Sequence, residues 1–170
     1  MRGVNKVVQS VLALTLLVAG SSARGADYPL LSRPAPDFAL RAFAGENVRL
    51  SEHRGEVVVL VFWSSRCGTC GAQLEALNRS FATYHSAGLE MYGISVDDDR
   101  RHASDFVAAY RVGFQMLYDP LKEVSRQYEV QRLPMVVMID RSGIVRDARE
   151  DFGTRSRVPY LSELKSLLDE

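Results

Sequence analysis

The chain has 170 residues, 46% of them hydrophobic and 25% charged, and its 21 Lys and Arg balance 21 Asp and Glu. That length suits one globular domain, and the apolar content is enough to build a core. Zero net charge, with no basic run, argues against nucleic acid as a partner, because phosphate binding needs a surplus of cations.

The first 25 residues follow the plan of a secretory signal peptide: Arg2 and Lys6, then an uncharged, largely apolar run from Val7 to Gly20, then small residues. The run, about 14 residues, is shorter than the roughly 20 that span a bilayer. Cleavage is expected after Gly25, with Ala23 as the second choice. Left uncut, the segment becomes an N-terminal anchor. In both cases residues 26–170 form an exported domain. The bacterial style of the leader places that domain in the periplasm, where disulfides persist.

Residues 26–36 read as an extended lead-in, with Pro29, Pro34 and Pro36 blocking helix. "DFAL" and "NVRL" flank Gly45 and predict a short N-terminal β-hairpin. "EVVVLVFW" (56–63) is an unbroken β-branched and aromatic run, as in a strand buried on both faces. From Gly71 the apolar period becomes helical, through Leu74, Leu77, Phe81 and Tyr84, and Gly88 supplies the C-cap. "LEMYGISV" (89–96) predicts a second core strand. "DDDRRHASDFVAAYRV" predicts a helix with Ala103, Phe106, Val107 and Tyr110 inward and the three acids capping its start. A shorter helix in "DPLKEVSRQYEV" and a third core strand in "PMVVMID" (134–140) follow. "RSG" turns that strand into a fourth, "IVRDARE". The closing helix, in "SRVPYLSELKSLLDE", is expected to start near Ser156 or Arg157 with Pro159 near N1, burying Leu161, Leu164 and Leu168. The order hairpin, β, α, β, α, α, β, β, α implies an α/β protein whose central mixed sheet is covered by helices on both faces, the layout of a thioredoxin-like fold.

Both cysteines of the chain, Cys67 and Cys70, lie in "FWSSRCGTCG", straight after a core strand. As a staple they would close so small a loop that the gain is only roughly 2 kcal/mol. As a structural zinc site they lack a second ligand pair, since His53, His85 and His102 are scattered; a two-thiolate copper(I) site stays open. Redox chemistry fits the context of strand, short loop and CxxC opening a helix. At a helix N-terminus, unpaired N–H groups and the macrodipole favour a thiolate at Cys67, the attacking group. Cys70, one turn on, then attacks Cys67 and releases the partner. Leu133-Pro134 opens a core strand where a proline cannot donate to the sheet. Beside a CxxC in this order of elements, the expectation is a cis bond that brings the Leu133 backbone to the Cys67 sulfur, where it can pair with an extended substrate. Trp63 is a further candidate for substrate contact and is equally the expected core or rim residue beside the active loop.

"PAPDFAL", "NVRLSEHRGEVVVLVFWSSRCGTC", "GISVDDD", "YDPLKEVSRQYEVQRLPMVVMIDRSGIV" and the terminal helix together resemble the exported TlpA/ResA (redoxin) family, in its order and over nearly all of residues 26–170. The resemblance implies a periplasmic thiol–disulfide oxidoreductase, soluble or tethered, that keeps substrate cysteines reduced for cytochrome c or copper-centre maturation. It also implies a transmembrane thiol carrier as electron donor. The expected working groups are Cys67 and Cys70, a groove shaped by Leu133 and Pro134, and Gly68 and Thr69 tuning the potential. No metal or organic cofactor is required, and nothing in the chain calls for more than a monomer. The same site run in reverse would make a disulfide oxidase or isomerase. A peroxiredoxin needs a proline upstream of its cysteine that "LVFWSSR" lacks. A Sco-like copper(I) chaperone is the non-enzyme alternative; that family spaces its cysteines by three residues and adds a distal histidine, whereas here the spacing is two and no histidine lies near Leu133-Pro134.

Three positions depart from the family pattern. Arg66 stands where an apolar residue usually precedes the first cysteine. Gln73 and Val61 stand where relatives carry acids that take the proton of the second cysteine, and Glu75 lies further along the helix. A cation beside Cys67 lowers the pKa of its thiol. Arg66→Trp is therefore expected to raise the Cys67 pKa in a thiolate absorbance titration of the reduced protein. An unchanged titration would show that Arg66 acts only as a solvated side chain.

Overall fold

The computed structural model describes residues 28–150 and 154–170, so the expected leader and its cleavage positions lie outside it. Seven strands form one mixed sheet: β1 (Ala39–Ala42), β2 (Asn47–Arg49), β3 (Val57–Trp63), β4 (Leu89–Ser95), β5 (Gln115–Tyr118), β6 (Met135–Ile139) and β7 (Val145–Arg149). Four helices accompany them: α1 (Cys70–Tyr84), α2 (Arg100–Ala109), α3 (Glu123–Gln127) and α4 (Thr154–Asp169). The strand order is β2-β1-β5-β4-β3-β6-β7. The β3, β4 and β5 strands run parallel, joined by α1 and α2, while β6, β7 and the β1–β2 hairpin add antiparallel edges.

Every residue of β3 is buried, as its unbroken apolar run requires. Alternation along the strand divides the core in two. Val58, Leu60 and Phe62 join Tyr92, Ile94, Leu117 and Tyr128 on the face covered by α3 and the N-terminal segment. Val57, Val59, Val61 and Trp63 join residues of α1, α2 and α4 on the other. Gly88, at φ +94°, caps the 3-10 turn that follows α1, a backbone state in which a side chain is strained.

Three expectations need correction. The β5 strand was not foreseen, so α2 and α3 are not consecutive. It has only four residues, and its signal is three buried positions, Met116, Leu117 and Tyr118, too few to show a period. The closing helix begins at Thr154, so Pro159 lies inside it rather than near N1. The proline lies beyond the first four residues, whose N–H groups are free, so it removes the bond to the carbonyl of residue 155 in the opening turns of the helix. The fully buried stripe of α4 is Tyr160, Leu164 and Leu167, with Leu161 and Leu168 only partly covered, because Tyr160 turns the face by one position. No helix among the described residues is long and apolar enough to cross a membrane.

Candidate active site

The site is built where β3 ends. Trp63 closes the strand, residues 64–69 form a tight loop, and α1 starts at Cys70 with Thr69 as its cap residue. Cys67 therefore sits in the turn before α1 rather than in the helix's first turn. The turn is continuous with the helix: the Cys70 amide donates to the Cys67 carbonyl at 3.2 Å and the Gln73 amide to the Thr69 carbonyl at 3.1 Å. Cys67 and Cys70 form a disulfide, with Cα atoms 5.4 Å apart. The two sulfurs differ in access. Cys67 is partly exposed, whereas Cys70 is 0% exposed and packs with Trp63, Leu74 and Val61 in the core.

Thr69 makes no cap hydrogen bond to the helix. Its Oγ1 lies 3.7 Å from Cys67 Sγ. A disulfide sulfur has no proton, so the hydroxyl donates and the sulfur accepts. Gly68 is exposed, and a Cβ there would meet open space. Leu133-Pro134 is cis, as expected. Pro134 is buried and Leu133 half-buried, the latter packing against both halves of the core. The expected substrate contact at Trp63 is not available to it. Its side chain is 0% exposed and stacks on Phe106 at 4.8 Å, so it is the floor beneath the cysteines. Both departures near Cys70 are buried: Val61 in β3 and Gln73 in α1, where Gln73 Nε2 has no hydrogen-bond partner among the described residues.

The residue that sequence reasoning missed is Asp97. The three acids at 97–99 were expected to cap α2 together. Only Asp99 does so, accepting from the Arg101 amide at 2.8 Å. Asp97 turns the other way and is 6% exposed. Its carboxylate accepts from Ser64 Oγ at 2.7 Å, from the Ser65 amide at 2.9 Å, from Ser65 Oγ at 2.8 Å and from Ser95 Oγ at 2.9 Å. Burial pushes the Asp97 pKa up, but these hydrogen bonds to the charged form outweigh it and hold it below the usual carboxylate value. The network ties the loop carrying Cys67 to the end of β4. The sequence signal was the pair Ser64-Ser65 before the CxxC, donors with no visible acceptor. Asp98 instead pairs with Lys122 at 2.6 Å, which holds its carboxyl low, with a smaller contribution from Arg66. Arg66 is exposed and lines a cleft of about 220 Å³ with Lys122, His102 and Leu133.

Comparison with known proteins agrees with this geometry. The AhpC/TSA family model matches residues 31–148. The thiol-disulfide oxidoreductases ResA of Geobacillus kaustophilus and Geobacillus thermodenitrificans are each 30% identical over 112 residues, 66% of this chain and 64% of theirs. The chain thus spans just under two thirds of the length of these relatives. Among solved structures, a Chlorobium tepidum protein described as a thiol:disulfide interchange protein, DsbE, superposes with a TM-score of 0.76 at 31% identity. The match covers 79% of this chain and 95% of that one.

Asp97→Asn keeps the shape and removes the charge. It is expected to lower stability near pH 7 by about 2 kcal/mol, through weakened hydrogen bonds in a buried network. The sign follows from linkage. A carboxyl whose folded pKa lies below its unfolded one contributes stability above the unfolded value, near 3.9, and loses it as pH falls through the folded one. Denaturant unfolding should therefore show the gap between wild type and variant closing in acid below about pH 4. A gap that stays constant from neutral to acid pH would remove the charge of Asp97 from the account.

Proposed function

The chain belongs to the AhpC/TSA family, and from that premise we propose that it is a thiol–disulfide oxidoreductase which works outside the cytoplasm and reduces disulfides in partner proteins. The observation that carries this reading is the unequal burial of a CxxC disulfide, Cys67 partly exposed and Cys70 enclosed, at the end of the sheet where the cis Leu133–Pro134 bond also lies.

In the reduced protein the Cys67 thiolate attacks one sulfur of a partner disulfide. That S–S bond breaks, the departing partner sulfur takes a proton from solvent, and a Cys67–partner mixed disulfide forms. Cys70 cannot meet a partner directly, but it is one turn from Cys67 and needs little movement to reach it. It gives up its proton and attacks Cys67 Sγ. The mixed disulfide breaks, the second partner sulfur is protonated, and Cys67–Cys70 closes. Two electrons have passed from the dithiol to the partner, and no metal or organic cofactor is needed. The proton of Cys70 goes to water, because Gln73 and Val61 offer no base. Thr69 and Arg66 steady the thiolate of Cys67, the first with a hydroxyl donor and the second with charge. Half-buried Leu133 forms the wall along which the partner chain lies, and buried Pro134 sets the bend that presents it.

The leader-like residues 1–25 support work in the periplasm. The TlpA/ResA resemblance supports the reducing direction, substrates such as the cysteines of a maturing cytochrome c or copper centre, and a transmembrane thiol donor to restore the dithiol. The test is the reduction potential of the Cys67–Cys70 pair, measured by equilibration in dithiothreitol or glutathione buffers. A dedicated reductant is expected at or below about −270 mV, and a value near about −120 mV would make the protein a disulfide-forming enzyme instead.

A further inference from the structure

Two clefts meet at Leu133. The first, with Arg66 on its wall, opens beside the CxxC loop. The second, of about 390 Å³, runs on past α3. They share Val96, Lys122 and Leu133, so they form one path that begins at Ser64 and Arg66, in the loop before the disulfide. The second stretch has a simple chemistry. Val96, Val130 and Leu133 give it an apolar floor, and Lys122, Arg126 and Arg132 give it cations. No carboxylate lines it; Asp97, Glu123 and Glu129, each next to a lining residue in the sequence, are outside.

The acids of the first stretch are already engaged. Asp97 is filled by serine donors, Asp98 is paired with Lys122, and Asp99 caps α2 and lies 3.7 Å from His102. Of the cations, Lys122 is held by Asp98, Arg132 pairs with Glu150 at 4.0 Å with its side chain 82% exposed, and Arg66 and Arg126 have no ion-pair partner among the described residues. The second stretch is thus cationic and free of carboxylates, and it opens into the cleft that holds Ser64 and Arg66 of the loop carrying Cys67.

We infer that this path selects its protein substrate by charge: it takes a partner segment that carries acidic side chains among apolar ones next to its disulfide. The inference rests on the exchange reaction proposed above and assigns its substrate class. Apolar side chains cover Val96, Val130 and Leu133, while carboxylates meet Arg126 and Arg132. Complementary charge raises the rate of encounter and penalises a basic segment.

The test uses the purified, reduced protein and two synthetic peptides with the same internal disulfide, one flanked by Glu and one by Lys at the same positions. Bis(2-hydroxyethyl) disulfide serves as a small neutral substrate. Single-turnover reduction is followed by mass spectrometry of quenched samples. At about 20 mM salt the Glu peptide should be reduced at least about tenfold faster than the Lys peptide, and the ratio should shrink towards one at about 500 mM salt. In an Arg126→Glu/Arg132→Glu double variant the ratio of the two peptides should invert. Equal rates for the two wild-type reactions, with the neutral disulfide still reduced, would overturn the inference and leave the exchange reaction standing. Failure to reduce any of the three would remove the exchange reaction and the inference with it. The wild-type ratio and its salt dependence decide the matter even if the variant does not fold.

Discussion

The molecule is organised around β3. Its seven residues are all buried, paired to β4 along their whole length on one side and to β6 on the other. Fully burying an aliphatic or aromatic side chain contributes about 1.5–3 kcal/mol, so a strand of this kind cannot shift register without exposing much of the core. Its end is consequently a fixed base for a reactive loop. Trp63, the last residue, is seated beneath the cysteines by Phe106 and by the side-chain-free space at Gly93, where a Cβ would press on Met116 and the indole.

Position alone does not make the sulfurs unequal; the loop does. Three hydroxyls and one amide converge on Asp97, so residues 64–65 are bound to β4 before the chain turns into α1. That turn brings Cys67 to the surface, and the first residue of the helix, Cys70, points into the core. The division of labour between an attacking and a resolving sulfur follows from the change from strand to helix over a few residues. It needs no separate device. The cis Leu133–Pro134 turn faces the same end of the sheet because β6 pairs with β3, and Leu133 touches both halves of the core.

Much of this was legible in the sequence. The all-apolar run of β3, the helical period after Gly71, Gly88 and the Pro-Met-Val-Val-Met-Ile run each carry their own signal, and together they gave the sheet, the covering helices and the cis proline. Less legible were features that depend on a neighbour. The β5 strand has four residues and is defined by its pairing with β4 and β1. Trp63 sits at a strand end, where sequence does not say whether a ring faces solvent or core. Asp97 lies in a run of three acids that share one local environment in sequence and have three different partners in space. The cationic path at Leu133 joins Arg66 to Arg126 and Arg132, which lie far along the chain from it, so the three are invisible as a group until the loops are placed.

The central claim is that the partly exposed Cys67 meets the partner and the enclosed Cys70 releases it. Its most direct measurement compares Cys67→Ser with Cys70→Ser, each mixed with a disulfide-containing peptide and resolved by mass spectrometry without reductant. The account predicts a lasting mixed disulfide through Cys67 in Cys70→Ser and none in Cys67→Ser. A mixed disulfide through Cys70, formed at a comparable rate in Cys67→Ser, would contradict it.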